Sequence, residues 1–185
     1  VGVSVVSGNT IYNFPMDTDP NWTATGQWEF GVPQGIDEDP SSGFTGSNVY
    51  GYNLAGEYTN NMSPETLTTQ ALDMTGVTGA TLKFQRWIGV ESSTWDDAKL
   101  EVSNDGSNWT ELWSNPNSTI REDAWTEVLY DISAVADNQP TVFVRWTMGA
   151  TDSSVTYAGW NIDDVAIEGT LPPCPGDIDG DQVVG

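Results

Sequence analysis

The chain predicts an all-β fold, a jelly-roll β-sandwich of about ten antiparallel strands. Three features of its 185 residues carry that expectation. Apolar and polar residues alternate at period two in short runs, turn-forming residues separate the runs, and no segment sustains a helical period.

The expected strands follow one another along the chain. The first is "TIYNF" (10–14), then "QWEFGV" (27–32), "NVYGYN" (48–53) and "LTTQALDM" (67–74). The stretch "SPETLTTQAL" opens like a capped helix, but its threonines favour a strand, so at most one turn is helical. "ATLKFQRWIG" (80–89) sets Leu82 and Phe84 against Lys83 and Gln85, and "AKLEVSN" (98–104) sets Leu100 and Val102 against Lys99 and Glu101. "NDGSN" supplies turn residues between that strand and "TELWSN" (110–115), which makes a hairpin. "TEVLYDIS" (126–133) and "TVFVRWTMG" (141–149) come next. In the latter Val142, Val144, Trp146 and Met148 share one face, so Trp146 belongs to the core, and Trp160 is assigned there too.

The last strand, "WNIDDVAI" (160–167), breaks the pattern. Strict alternation would send either Asp163 or Asp164 toward the apolar side, where an isolated carboxylate is too costly to leave unpaired.

Composition narrows the function. Five basic against 27 acidic residues give a formal charge of −22, which repels nucleic acid phosphates and anionic lipid. With no histidine, zinc chemistry of the usual kind and a Ser-His-Asp triad are excluded. Cys174 is the single cysteine, so no internal disulfide forms. No window resembles a transmembrane helix, and "VGVSVVSGN" lacks the basic region of a signal peptide. The expectation is a piece of a longer secreted, bacterial protein working in a calcium-rich medium.

Four regions are expected: a lead-in (1–9), the sandwich (10–169), a Pro/Gly linker (170–176) and a truncated loop (177–185). In that loop Asp177, Asp179 and Asp181 have the spacing that opens an EF-hand calcium loop. "GDIDGDQVVG" resembles the start of a dockerin-type calcium repeat, which implies a cohesin-like partner for the complete repeat.

"LKFQRWIGVESSTWDDAKLEVSNDGSNWTEL" (82–112), followed by "WNIDDVAI", resembles the MAM-like jelly rolls appended to secreted bacterial peptidases. The closing motif, with an acidic stretch near the N-terminus, also resembles carbohydrate-binding modules of the jelly-roll type. That resemblance implies a structural Ca2+ tying the first strand to the last. Asp163 or Asp164 would be one ligand, with Asp17 and Asp19 of "FPMDTDPNW" as partners. Calcium takes six to eight oxygens, and carboxylates from distant segments can supply them. Alternatively one aspartate accepts backbone N–H groups at a bulge while the other faces water.

A second acidic group comprises Glu91, Asp96 and Asp97, with Arg86 nearby in sequence. It reads either as a buried Arg86–Glu91 pair or as a second cation or ligand site.

Two functions remain in view. The first is a non-catalytic glycan-binding module of a larger multimodular protein, with polysaccharide as ligand. Sugar rings stack on aromatic faces while polar side chains bind the hydroxyls. Trp28, Tyr50, Tyr52, Tyr58, Trp87, Trp95 and Trp113 are the aromatic candidates. The expected ligand-binding set is Trp95, Trp87, Arg86, Glu91, Tyr50, Tyr52 and Trp113, with Trp95 the most exposed. The second is a structural or interaction appendage of a secreted peptidase or other hydrolase, without a glycan ligand. Glycoside hydrolysis needs a placed pair of carboxylates, and no pair among Glu57, Glu91 and Asp97 stands out.

Overall fold

The computed structural model describes residues 9–172. They form two antiparallel sheets packed face to face, the predicted β-sandwich jelly roll. The strands are β1 (Asn9–Phe14), β2 (Thr23–Ala24), β3 (Trp28–Gly31), β4 (Val49–Tyr52), β5 (Glu65–Thr68), β6 (Thr78–Val90) and β7 (Ala98–Ser103). After them come β8 (Thr110–Ser114), β9 (Ile120–Arg121), β10 (Thr126–Asp131), a single helical turn α1 (Ser133–Ala136), β11 (Phe143–Met148) and β12 (Gly159–Thr170). One sheet has the order β10-β6-β12-β4-β3, with β1 also on β12 and β9 on β6. The other has the order β2-β5-β11-β7-β8.

Nine of the predicted strands are present over most of their expected spans, the one expected over 67–74 lies instead at Glu65–Thr68, and β2, β9 and α1 were not anticipated. β2 and β9 are two-residue pairings that carry no readable periodicity. The segment 63–72 is no helix: β5 spans Glu65–Thr68, and beyond it Leu72 bridges Val142.

Alternation sorts the core as expected. Leu82, Phe84, Leu100, Val102, Val142, Val144, Trp146 and Met148 are all buried. Aromatic stacking joins the two sheets: Trp22 lies flat between Tyr50 and Trp146, at 5.5 Å from each ring centroid, and the edge of Phe84 meets Trp146. Trp160 is fully buried and donates its indole N–H to Thr147 O at 3.0 Å.

The anomaly in β12 resolves as a β-bulge. Its register against β6 shifts between Asp163 and Ala166, and Asp164 has φ of +46°. The extra residue lets Ile162, Val165 and Ile167 all face the core, so neither aspartate points into it. Asp163 is nevertheless fully enclosed, because the segment 43–48 crosses the outer face of the sheet and covers it. At the same bulge β12 changes neighbours, from β4 (Asn161, Ile162) to β1 (Val165 to Gly169). The bulge thus replaces the strict alternation that the sequence pattern implied.

Candidate functional site

Three polar constellations lie outside the core. The first is the enclosure of Asp163. Its Oδ2 accepts the Thr45 amide at 3.0 Å and its Oδ1 the Asp164 amide at 2.7 Å, while Thr45 Oγ1 donates to Asp164 Oδ1 at 2.7 Å. Burial pushes the Asp163 carboxyl up to about 6 despite these bonds, so its ionised form lacks sufficient countercharge. The cradle around it is rich in oxygen. A Cβ on Gly43 would lie 2.4 Å from Thr45 O, 2.8 Å from Asn48 O and 2.9 Å from Asp163 Oδ2. Three oxygens therefore converge on one small space that only glycine leaves open. Asp17 reaches the same segment at Gly46, with Oδ1 2.7 Å from where a Cβ on that glycine would sit. This donor set suits a hard divalent cation. Asp19 Oδ1 accepts the Tyr50 hydroxyl and the Asn21 amide, each at 2.7 Å. The carbonyls of Thr45 and Asn48 carried no sequence signal, because any residue type supplies a carbonyl.

The second constellation is Glu91, Asp96 and Asp152, with a carboxylate oxygen from each within 4.8 Å of the others. Asp96 is buried and accepts the Tyr58 hydroxyl at 2.6 Å and the Asp152 amide at 2.9 Å. Burial, then the charges of Asp96 and Asp152, raise the Glu91 carboxyl above its ordinary value. Asp152 replaces the expected Asp97, which faces another groove with Lys99 and Glu101. Nor does Arg86 pair with Glu91. It faces inward and forms a two-pronged pair with Glu122, at 2.5 and 3.2 Å, under the ring of Trp113. Arg86 lies five positions before Glu91, and the strand it sits on aims it inward at Glu122, just past β9.

The third is a cleft of about 350 Å³ lined by Glu38, Asp39, Trp87, Arg121, Glu122 and Asp123. Trp87 projects from the outer face of β6, directly beside Asn161 of β12, and its ring meets the edge of Trp125 at 5.9 Å. The segment between β3 and β4 forms the opposite wall through two adjacent residues. Glu38 O accepts the Trp87 indole N–H at 2.8 Å, and the Glu38 carboxylate pairs with Arg121. Asp39 Oδ1 accepts Asn161 Nδ2 at 2.7 Å. The arrangement combines an aromatic face, carboxylates and a guanidinium along one open channel, which is the chemistry that binds a sugar ring and its hydroxyls. Asp39, Arg121 and Asp123 escaped the sequence reading because they come from loops and a two-residue strand that only folding gathers.

The remaining aromatic candidates divide cleanly. Trp28, Tyr50, Tyr52 and Tyr58 are buried, so the expectation that Tyr50 and Tyr52 form a binding platform is corrected. Both alternate inward with β4, and their hydroxyls are held by Asp19 and Glu65. Trp113 is half-buried, packed on Trp160 and Arg86. Trp95 is 56% exposed on the loop that carries Asp96. The expected ligands Asp177, Asp179 and Asp181, like Cys174, lie outside the described residues.

No protein-family model matches the chain. It is 29% identical over 161 residues to Bacillopeptidase F of Bacillus subtilis, an alignment covering 84% of this chain and 10% of that protein. The chain therefore spans about a tenth of the length of this relative. Among solved structures it resembles the CBM22-1 xylan-binding domain of Paenibacillus barcinonensis Xyn10C, with a TM-score of 0.52 at 11% identity, covering 90% of this chain and 97% of that one. It also resembles the C-terminal family 22 carbohydrate binding module of Clostridium thermocellum Xyn10B, with a TM-score of 0.51 at 15% identity, covering 89% and 96% of the two chains. At such identities the likeness is one of fold: the chain shares the jelly-roll architecture of carbohydrate-binding modules.

Proposed function

We propose that the chain is a non-catalytic glycan-binding module of a larger secreted protein. The observation that carries this reading is the cleft where the Trp87 face stands opposite Glu38 and Asp39, with Arg121 between. The fold likeness to xylan-binding domains supports it and suggests a xylan fragment as a first probe, for which soluble xylohexaose serves. Calorimetric titration is the test. Trp87→Ala is expected to weaken binding at least about tenfold, or 1.4 kcal/mol. Its melting temperature should stay within a few degrees of the parent, since Trp87 lies outside the core. Binding that survives Trp87→Ala unchanged refutes the cleft as the site.

A structural Ca2+ belongs to the same reading. The Asp163 carboxylate and the carbonyls of Thr45 and Asn48 would hold it, with Asp17 alongside. Bound there, the ion would supply the countercharge that the enclosed Asp163 lacks and tie the segment 43–48 to the last strand.

A second reading, an appendage of a secreted peptidase with no glycan ligand, draws on the match to Bacillopeptidase F. A polysaccharide array that retains nothing, with the folded protein intact, favours this alternative.

A further inference from the structure

Two of the buried polar atoms without a hydrogen-bond partner among the described residues belong to residues already bonded to each other. They are Asp39 Oδ2 and Asn161 Oδ1. Asn161 is fully buried and Asp39 is 6% exposed, and the bond between them runs from Asn161 Nδ2 to Asp39 Oδ1. As an anion, Asp39 would hold a buried charge with one side-chain amide donor and, among the described residues, no cation paired with it. Leaving such a charge unpaired is strongly destabilising. The surrounding charges do not compensate. Asp37, on the same segment, and Glu57, beyond β4, both repel an anion at Asp39. Of the nearby cations, Arg121 is engaged by Glu38 and Arg86 by Glu122, and Asp123 adds another negative charge to the cleft. One proton changes the account. A neutral Asp39 carries no charge to desolvate, and its new O–H is a donor in surroundings where Asn161 Oδ1 is an unused acceptor.

We propose that Asp39 is a proton-operated latch, which as the neutral acid holds residues 33–40 on the outer face of the sheet and as the anion releases them. The geometry ties this to the cleft. Asp39 follows Glu38, whose carbonyl fixes the Trp87 indole and whose carboxylate fixes Arg121, and Asn161 lies beside Trp87 across the β6–β12 pairing. Loosening Asp39 therefore dissolves one wall of the cleft and frees the aromatic face. Burial pushes the Asp39 carboxyl up to about 7, which places the change near neutrality. The latch as regulator of ligand binding rests on the cleft being the glycan site; the latch itself does not.

Amide hydrogen exchange of the ligand-free protein tests the latch, with rates corrected for intrinsic base catalysis. Protection of the Gln34, Gly35 and Asp39 amides, which are hydrogen-bonded to Leu54 O, Pro40 O and Ile36 O, is expected to fall about tenfold between pH 5.5 and 8.5, one proton being lost over that interval. Asp39→Asn is permanently neutral and keeps both donor and acceptor, so its protection should stay high at pH 8.5. Parent protection that is flat with pH, or an equal fall in Asp39→Asn, overturns the proposal. The parent profile alone decides the matter if the variant does not fold. Xylohexaose titrations over the same range should show affinity falling at alkaline pH in the parent and not in Asp39→Asn. A flat affinity profile beside pH-dependent exchange overturns the link to binding. Absence of xylohexaose binding at every pH, with polysaccharide arrays also blank, defeats the glycan reading and leaves the latch to stand or fall on exchange.

Discussion

Glu122→Ala should be among the most damaging single changes outside the apolar core. The Arg86 and Glu122 side chains are 13% and 15% exposed, so the pair is largely desolvated. Removing the carboxylate leaves a guanidinium with no other ion-pair partner among the described residues, facing the Trp113 ring. Breaking a fully buried pair costs about 3–5 kcal/mol, and the residual exposure argues for the lower end, about 3 kcal/mol. Glu122 Oε2 also accepts the Ile88 amide at 2.9 Å, and a stranded buried amide adds about 1 kcal/mol. The sum, about 4 kcal/mol, corresponds to a drop of about 8–16 °C in the midpoint of a domain this size. Urea unfolding, followed by tryptophan fluorescence and checked by calorimetry, measures it. A double-mutant cycle with Arg86→Met isolates the pair, and a coupling of about 2 kcal/mol or more is expected. A loss below about 1 kcal/mol for Glu122→Ala, the level of an exposed ion pair, refutes the reasoning. So would a larger loss in Glu91→Gln, since that outcome would make Glu91 the true partner of Arg86.

Chelation should lower the melting temperature if Ca2+ sits at Asp163, and Gly43→Ala should abolish that response, because its methyl would meet Thr45 O at 2.4 Å. An identical midpoint in excess chelator and in millimolar Ca2+ counts against the ion. The stability of the whole domain should also depend on Asp39. Its carboxyl is raised from 3.8 to about 7 on folding, so the folded state holds the extra proton between these values. Stability should then decline as pH rises from about 4 to about 7, by at most about 4 kcal/mol, and level off above. Asp39→Asn should flatten this slope in urea titrations across that range, and an unchanged slope would assign it to other acids.

The architecture was legible because period-two alternation reports burial directly. Leu82 with Phe84, Leu100 with Val102, and Val142 through Met148 all face the core as their spacing required. The short pairings β2 and β9 were not legible, since two residues contain no period. β12 was legible as a strand and misread in detail: the paired aspartates signalled an irregularity, but a bulge and an acid aimed at the core look alike in one dimension.

Site residues divide along the same line. By itself the sequence determined the sandwich, the inward faces of β6, β7 and β11, the loss of histidine chemistry and the acidic field. These depend on composition and on neighbours within a few residues. The tertiary structure alone decided that Arg86 meets Glu122 rather than Glu91, and that Asp152 completes the Glu91–Asp96 group. It alone set Asp39 on Asn161, 122 positions away, and brought Asp39 to line a cleft with Trp87. Such partners are chosen by strand register and loop crossing, and a local pattern of charges holds no record of either.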